Sequence, residues 1–266
     1  MPGRLLSHCV YGQSDRPALL LLHGFLGRKE DWQEIAPALS LDHFVIAVDM
    51  PGHGESVEGF SERDYSMAGC SELLRNSLDS LQIGRCSVVG YSMGGRLALY
   101  FAVHHPSRCR SVILESASPG LRTEAERAAR RTHDEALAKR LIADDFEQFL
   151  NAWYAQPLFE PLRQSARFGE LLARRSKNDP HGLALSLRQM GTGVQPSLWD
   201  ELQKFDIPML LLTGALDIKF TRIAQEMAAV CPHSRAEVIA GAGHTLHFEA
   251  PERYIAAVRR FLMERK

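Results

Sequence analysis

Short apolar runs recur along the chain and alternate with stretches whose apolar residues have helical spacing. The runs lie at residues 18–22, 44–48, 87–89, 111–114, 209–213 and 236–239. Because a strand that is covered on both faces is apolar along nearly its whole length, these runs predict a parallel sheet with helices on both sides. The alternation of strands with helices predicts an α/β, mostly parallel, doubly wound architecture.

The alternation stops between residues 118 and 200. This segment is rich in Arg, Ala and Glu, and its spacing predicts helices at about 123–140, 144–155 and 183–190. We therefore expect a helical cap that is inserted into the core. The predicted division is a first part of the core at 1–117, the cap at 118–200 and a second part of the core at 201–266.

A Gly-x-Ser-x-Gly segment runs from Gly90 to Gly94, between an apolar run and a helix-like stretch. A serine between a strand and a helix, with glycines on either side, is typical of a nucleophile elbow. The glycines are required because the turn is too tight for larger neighbours. Ser92 is therefore the candidate catalytic residue. The alternative is an ordinary glycine-rich connection between a strand and a helix.

Two later strand ends carry candidate partners for this serine. A serine hydroxyl becomes a good nucleophile or base only when a neighbouring base takes its proton. Asp217 follows the fifth apolar run, and His244 lies in a glycine-rich loop after the sixth. This order, serine then acid then histidine, is the one expected in such a sheet. We expect Asp217 to hold one imidazole nitrogen of His244 while the other exchanges a proton with Ser92. His247 is the alternative base.

Two backbone N–H groups are candidates for an oxyanion hole. The sequence His23-Gly24-Phe25 follows the first apolar run and resembles the loop that supplies one such donor. The N–H of Met93, directly after the serine, would be the second. Two fixed donors that point at one developing negative charge stabilise it without reorganisation. The Pro- and Gly-rich turn that begins at Asp49 is expected to be structural.

Composition and net charge indicate which partners and which cellular location to expect. The chain has 266 residues, which is enough for one domain with a sizeable core. Its formal net charge is −1, so we expect neither nucleic acid nor a membrane as a partner. Five scattered cysteines without a C-x-x-C pair indicate reduced thiols. Residues 1–11 lack the apolar centre of a signal peptide, and no apolar run approaches the length of a membrane span. We expect a cytoplasmic protein that is a monomer or a weak homo-oligomer.

Arginines are frequent near the serine and in the cap. Arg96 lies four residues after the serine, and Arg127, Arg130 and Arg131 share one face of a predicted helix. Guanidinium groups suit bidentate recognition of carboxylates, although a single helix arginine is more often a solvated surface residue. The pair His244 and His247 is spaced like two metal ligands, but no carboxylate or thiolate cluster accompanies it, so no metal is expected.

Taken together, these motifs resemble the α/β-hydrolase superfamily, and the resemblance spans nearly the whole chain. At a finer level, four segments resemble the MenH family, 2-succinyl-6-hydroxy-2,4-cyclohexadiene-1-carboxylate synthase of menaquinone and phylloquinone biosynthesis. They are GYSMGGR from Gly90, PGLRTEAERAAR from Pro119, AWYAQPLF from Ala152 and GALDIKF from Gly214.

The resemblance implies a lyase that removes pyruvate from 2-succinyl-5-enolpyruvyl-6-hydroxy-3-cyclohexene-1-carboxylate, without a metal or an organic cofactor. It places the triad at Ser92, Asp217 and His244. It places substrate-binding arginines at Arg96, Arg130 and Arg175 and pocket aromatics at Tyr91, Trp153 and Tyr154. Arg174 adjoins Arg175, so the choice between these two arginines stays open.

The implied substrate agrees with the residues. It is a small polycarboxylate with three carboxylates, which three arginines would meet. Its reacting C–H bond is alpha to a ketone, so loss of the proton gives an enolate that an oxyanion hole would stabilise. Ser92 would then act as a proton acceptor. The alternatives are a serine carboxylesterase or C–C bond hydrolase of the same fold, and a non-catalytic binding protein on this scaffold.

Overall fold

A single seven-stranded sheet forms the centre of the protein. The computed structural model describes residues 4–264. The strands are β1 His8–Tyr11, β2 Ala18–Leu22, β3 Phe44–Val48, β4 Cys86–Tyr91, β5 Cys109–Glu115, β6 Met209–Gly214 and β7 Ser234–Ile239. Their order across the sheet is β1-β3-β2-β4-β5-β6-β7, and every neighbouring pair is parallel except β1 with β3. The predicted α/β, mostly parallel sheet is confirmed.

Twelve α-helices accompany the sheet within residues 4–264. Those of the core are α1 Ala36–Leu39, α2 Met67–Ser80, α3 Met93–His104, α10 Ile218–Val230, α11 Leu246–Glu249 and α12 Pro251–Met263. Those between β5 and β6 are α4 Glu124–Ala143, α5 Phe146–Tyr154, α6 Glu160–Arg163, α7 Phe168–Arg175, α8 Pro180–Met190 and α9 Trp199–Leu202. None of these helices is both long and apolar enough to cross a membrane.

Successive residues of one strand enter two different hydrophobic clusters, as a sheet covered on both faces requires. In β2, Leu20 and Leu22 pack with residues of α2 and α3, whereas Leu19 and Leu21 pack with residues of α1 and α12. All four leucines are at most 1% exposed. Burial on both faces is why β2 is apolar at every position.

The first strand was not predicted. β1 has only four residues, none of them buried, and lies antiparallel at the edge of the sheet beside β3. Its sequence, HCVY, lacks the continuous apolar character of a central strand. A half-exposed edge strand has one neighbour and therefore a weaker sequence signal than a central one.

The helices between β5 and β6 form a third hydrophobic cluster of their own. Phe149 and Leu183 belong to it, together with Leu26 and Phe248 from the core, so the cluster also joins the cap to the sheet. The three predicted cap helices correspond to α4, α5 and α8. The short helices α6, α7 and α9 were not predicted. The boundaries of the cap at 118 and 200 stay a prediction.

The register of the parallel strands gathers the loops that follow them at one edge. Leu22 pairs with Gly90, and Tyr91 pairs with Glu115. The segments that start at His23 and at Ser92 therefore leave the sheet side by side. In an open α/β sheet, ligands bind at this carboxyl edge of the strands.

Candidate active site

Ser92 occupies a strained turn between β4 and α3. Its backbone has φ 49° and ψ −104°, a region that residues other than glycine rarely adopt. A Cβ on Gly90 would lie 2.3 Å from the carbonyl oxygen of Gly94, and a Cβ on Gly94 would lie 2.3 Å from that of Leu22. Both glycines are needed because the backbone approaches too closely for any side chain. The turn places the serine at the carboxyl edge of the sheet.

Three side chains from separate strand ends form a hydrogen-bonded chain at this edge. His244 Nδ1 lies 2.7 Å from Asp217 Oδ2, and His244 Nε2 lies 3.2 Å from Ser92 Oγ. The imidazole and the carboxylate are both buried. Asp217 is also the N-cap of α10, because its Oδ1 accepts a hydrogen bond from the N–H of Phe220. This is the geometry that lets a serine lose its proton to a histidine that a carboxylate holds.

His247, the alternative base, lies apart from this chain. Its Nδ1 lies 2.8 and 2.9 Å from the two carboxylate oxygens of Glu115. Its ring stacks on Trp32, with 4.6 Å between the ring centroids. The structure thus favours His244 over His247 as the partner of Ser92.

A carboxylate that the sequence analysis missed holds the backbone on both sides of His244. Glu249 accepts hydrogen bonds from the N–H of Gly243 and, at 2.9 Å, from the N–H of Thr245. The side chain of Thr245 is itself hydrogen-bonded to the hydroxyl of Tyr91 at 2.9 Å. Burial raises the pKa of Glu249 above its ordinary value. A glutamate five residues after the histidine belongs to none of the motifs above, so its role was visible only in three dimensions.

The residues that carry the two predicted oxyanion donors are the neighbour of Ser92 in sequence and a residue that lines its cavity. Met93 is the first residue of α3, so its N–H has no partner within the helix. Phe25 lines the same cavity as the serine. The loop of Phe25 is supported by His23, whose Nε2 accepts a hydrogen bond from the N–H of Met50 at 3.0 Å. Burial lowers the pKa of His23 to about 4, which keeps the ring neutral and its Nε2 able to accept.

A cavity of about 430 Å³ opens onto Ser92 and His244, between the sheet edge and the cap helices. Its charged lining residues are the cations Arg96, Arg122, Arg130, Lys219 and Arg222 and the carboxylates Glu126 and Glu226. Five cations against two carboxylates give this cavity a net positive charge, although the whole chain carries a net charge of −1. Such a cavity suits a ligand with several negative charges.

Arg96 and Arg130 both line this cavity, in different surroundings. Arg96 is buried on α3, and its Nη1 donates to the carbonyl oxygen of Met190 at 2.8 Å and to Gln195 Oε1 at 3.1 Å. Burial lowers the pKa of Arg96 to about 9, so the guanidinium stays charged at neutral pH. Arg130 is about one third exposed, and its Nε lies 2.7 Å from Asp134 Oδ1.

Arg175 lines a separate, smaller cavity of about 30 Å³, together with Ser92 and His244. Its guanidinium is buried and ion-paired, since Nη1 lies 2.6 Å from Asp31 Oδ2 and Nε donates to the Tyr154 hydroxyl at 3.1 Å. The neighbouring Arg174 does not line either cavity that contains the serine. Of the two adjacent arginines, Arg175 is the one that lines a cavity together with the serine.

The predicted aromatics surround the same two cavities. Tyr91 and Tyr154 are buried and line the smaller one, and Trp153 lines both. The Trp153 ring centroid lies 5.3 Å from that of Phe25. The sequence analysis missed Phe220, whose ring centroid lies 4.7 Å from that of His244.

The fold and the site together define a class. Residues 17–251 match the family model described as alpha/beta hydrolase fold, and the chain belongs to that family. A more specific family emerges from the relatives. A Bacillus subtilis (strain 168) protein assigned provisionally as a 2-succinyl-6-hydroxy-2,4-cyclohexadiene-1-carboxylate synthase is 39% identical, over 94% of this chain and 92% of its own length. The synthase of that name from Klebsiella pneumoniae (strain 342) is 37% identical, over 94% and 96%.

A solved structure supports membership of the same synthase family. MenH from Staphylococcus aureus superposes with a TM-score of 0.92 and 34% identity, over 97% of this chain and 98% of that one. The chain therefore belongs to the 2-succinyl-6-hydroxy-2,4-cyclohexadiene-1-carboxylate synthase family within the α/β-hydrolase fold. The family resemblance that the sequence motifs indicated is confirmed.

Proposed function

We propose that the protein is a lyase of menaquinone or phylloquinone biosynthesis that eliminates pyruvate from 2-succinyl-5-enolpyruvyl-6-hydroxy-3-cyclohexene-1-carboxylate. Membership of the synthase family supports this reaction class. The observation that carries the proposal is the net positive cavity, which opens directly onto Ser92 and His244. A substrate with three carboxylates matches such a cavity, whereas a neutral ester gains nothing from it.

The proposed first step is removal of the proton alpha to the succinyl ketone. Ser92 Oγ takes this proton as its own passes to His244 Nε2, which lies 3.2 Å away. Asp217, at 2.7 Å from Nδ1, stabilises the imidazolium that forms. The electron pair of the broken C–H bond moves toward the ketone oxygen and gives an enolate. This step makes the serine a base and requires no bond between Ser92 and carbon.

The N–H groups of Phe25 and Met93 are proposed to hold the enolate oxygen. One such donor contributes about 2.7–4 kcal/mol to transition-state stabilisation in other serine enzymes. The enolate then collapses through the ring double bond, and the C–O bond to the enolpyruvyl group breaks. The leaving oxygen keeps the electron pair and recovers a proton from His244, and the enolpyruvate released becomes pyruvate. Protons and electrons balance without a further reactant.

Arg96, Arg130 and Arg175 are proposed to bind the substrate carboxylates. The first two line the larger cavity and the third lines the smaller one, and Ser92 lines both. Tyr91, Trp153 and Tyr154 are proposed to form the apolar walls around the ring. Because cations on three separate helices would hold one substrate, the reacting C–H bond would be oriented toward the serine.

The triad geometry also suits attack of Ser92 on a carbonyl, as in a carboxylesterase or a C–C bond hydrolase. A single-turnover experiment separates the two reactions. With substrate deuterated at the carbon alpha to the succinyl ketone, proton abstraction predicts slower pyruvate formation, and quenched enzyme should carry no substrate-derived mass on Ser92. Acyl transfer predicts a substrate-derived acyl group on Ser92 and no primary isotope effect. Ser92→Ala serves as the control for uncatalysed decay.

Several further expectations stay predictions. The five cysteines are all free thiols in the structure, which agrees with the cytoplasmic location expected from the sequence. A monomer or weak homo-oligomer that binds a small molecule, with neither nucleic acid nor a membrane as a partner, is also proposed. The lyase reaction as written uses only side chains and backbone groups of this chain.

A further inference from the structure

A second group of charged residues lines the cavity along helix α10, apart from the three predicted arginines. Lys219, Arg222, Ile223 and Glu226 all face the cavity. Their spacing of i, i+3, i+4 and i+7 places them on one face of the helix. Lys219 is the first residue of this face and lies two residues after Asp217 of the proposed triad.

The cations of this wall differ in how their charges are balanced. Arg222 Nε lies 3.5 Å from Glu226 Oε1, and Arg122 Nη2 lies 3.2 Å from Glu226 Oε2. Lys219, in contrast, is exposed and makes no ion pair with any residue between 4 and 264. Its ammonium lies 5.5 Å from the centroid of the Phe220 ring. An unpaired, flexible ammonium on a cavity wall is free to meet an anionic ligand.

Phe220 connects this lysine to the reacting centre. Its ring packs 4.7 Å from that of His244, and its N–H donates to Asp217 Oδ1 at 3.2 Å. A carboxylate held by Lys219 would therefore lie on the wall next to the catalytic imidazole. Arg96 and Arg130 approach the cavity from other helices, α3 and α4.

We propose that Lys219, with Arg222 one turn further along the same helix face, forms a further carboxylate-binding subsite of the cavity. The identity of the ligand, one carboxylate of the polycarboxylate substrate, rests on the proposed function. Arg96 already donates to Met190 and Gln195, and Arg175 is paired with Asp31, so their guanidinium groups are held in place. Lys219 is the cation with the most freedom to reach a carboxylate when substrate enters.

The test compares Lys219→Gln with Lys204→Gln, which removes the same charge from an exposed lysine outside the cavity. Loss of one charge-assisted hydrogen bond predicts a KM about tenfold higher for Lys219→Gln at low ionic strength. Its kcat should stay within about twofold of the parent, because the subsite binds rather than reacts. Lys219→Arg should restore KM, and Lys204→Gln should match the parent protein.

A binding measurement keeps this test separate from the reaction itself. Calorimetric titration of Ser92→Ala with the substrate, with and without Lys219→Gln, should show about tenfold weaker binding in the double variant. Raising the salt concentration should shrink that difference, since exposed charges are screened. Equal KM and equal Kd with and without Lys219→Gln would overturn the subsite. Absence of pyruvate release by the parent protein would overturn the proposed function, whereas the titration would still decide the subsite.

Discussion

The buried ion pair between Arg175 and Asp31 adds a structural role to the substrate-binding role proposed for Arg175, and mutation can separate the two. Both side chains are at most 3% exposed, and Nη1 lies 2.6 Å from Oδ2. The pair also joins α7 of the cap to the short 3₁₀ helix Lys29–Trp32 of the core. Removal of Arg175 therefore affects the fold as well as any bound carboxylate.

Arg175→Met would leave the Asp31 carboxylate buried with weak remaining partners. These are the N–H of Arg28 at 3.2 Å and the Nε of Arg174 at 3.7 Å. Breaking one side of a buried ion pair costs about 3–5 kcal/mol. For a domain of this size that corresponds to a fall in Tm of roughly 6–20 °C.

The double variant Asp31→Asn/Arg175→Met distinguishes the two roles. It removes both charges, so much of the lost free energy of unfolding should return, because neutral groups of similar shape replace the pair. If Arg175 binds a substrate carboxylate as proposed, the activity should not return, because that carboxylate would still lack its arginine. Urea denaturation of the parent, Arg175→Met and the double variant, with pyruvate release measured on each, supplies both quantities. A single variant as stable as the parent, or a double variant no more stable than the single, would refute this reasoning.

Three other predictions follow from the same geometry. Ser92→Ala and His244→Ala should each remove most of kcat. If the proposed triad acts as a unit, the double variant should be little worse than either, and multiplicative losses would count against the triad. Glu249→Gln should lower kcat more than it raises KM, because it weakens the hold on the backbone around His244 without touching the substrate. Burial lowers the pKa of His23 to about 4 and that of His53 to about 3, so below about pH 6.5 the unfolded chain binds more protons. As the pH is lowered from 6 to 4, the free energy of unfolding should therefore fall by about 1.4 kcal/mol per pH unit for each histidine. Urea denaturation at several pH values measures this dependence, and His53→Gln should make it less steep.

The central strands were predictable because burial on two faces leaves little choice of side chain. The bounds predicted for β2 and β3 agree with the structure at both ends. β1 was not predicted because its four residues are only partly buried or exposed and lack the continuous apolar pattern of a central strand. The short cap helices α6 and α7 were not predicted because segments of four to eight residues contain too few helical turns to show a helical pattern.

Some residues of the candidate site could likewise be predicted from the sequence, and others could not. Ser92, Asp217 and His244 were visible because each follows a strand, and parallel strands bring those positions to one edge. The surroundings of Arg175 were not visible, because Asp31 lies 144 positions earlier in the sequence. Lys219 and Phe220 belong to a quoted motif, but only the packing of Phe220 on His244 connects them to the triad.

The reaction itself is tested most directly by pyruvate formation from 2-succinyl-5-enolpyruvyl-6-hydroxy-3-cyclohexene-1-carboxylate, measured by coupling to NADH oxidation. We predict stoichiometric pyruvate from the purified protein, loss of that activity in Ser92→Ala, and slow turnover of neutral aryl esters by comparison. No pyruvate above the Ser92→Ala background, together with fast hydrolysis of aryl esters through an acyl group on Ser92, would contradict the lyase assignment and identify a hydrolase.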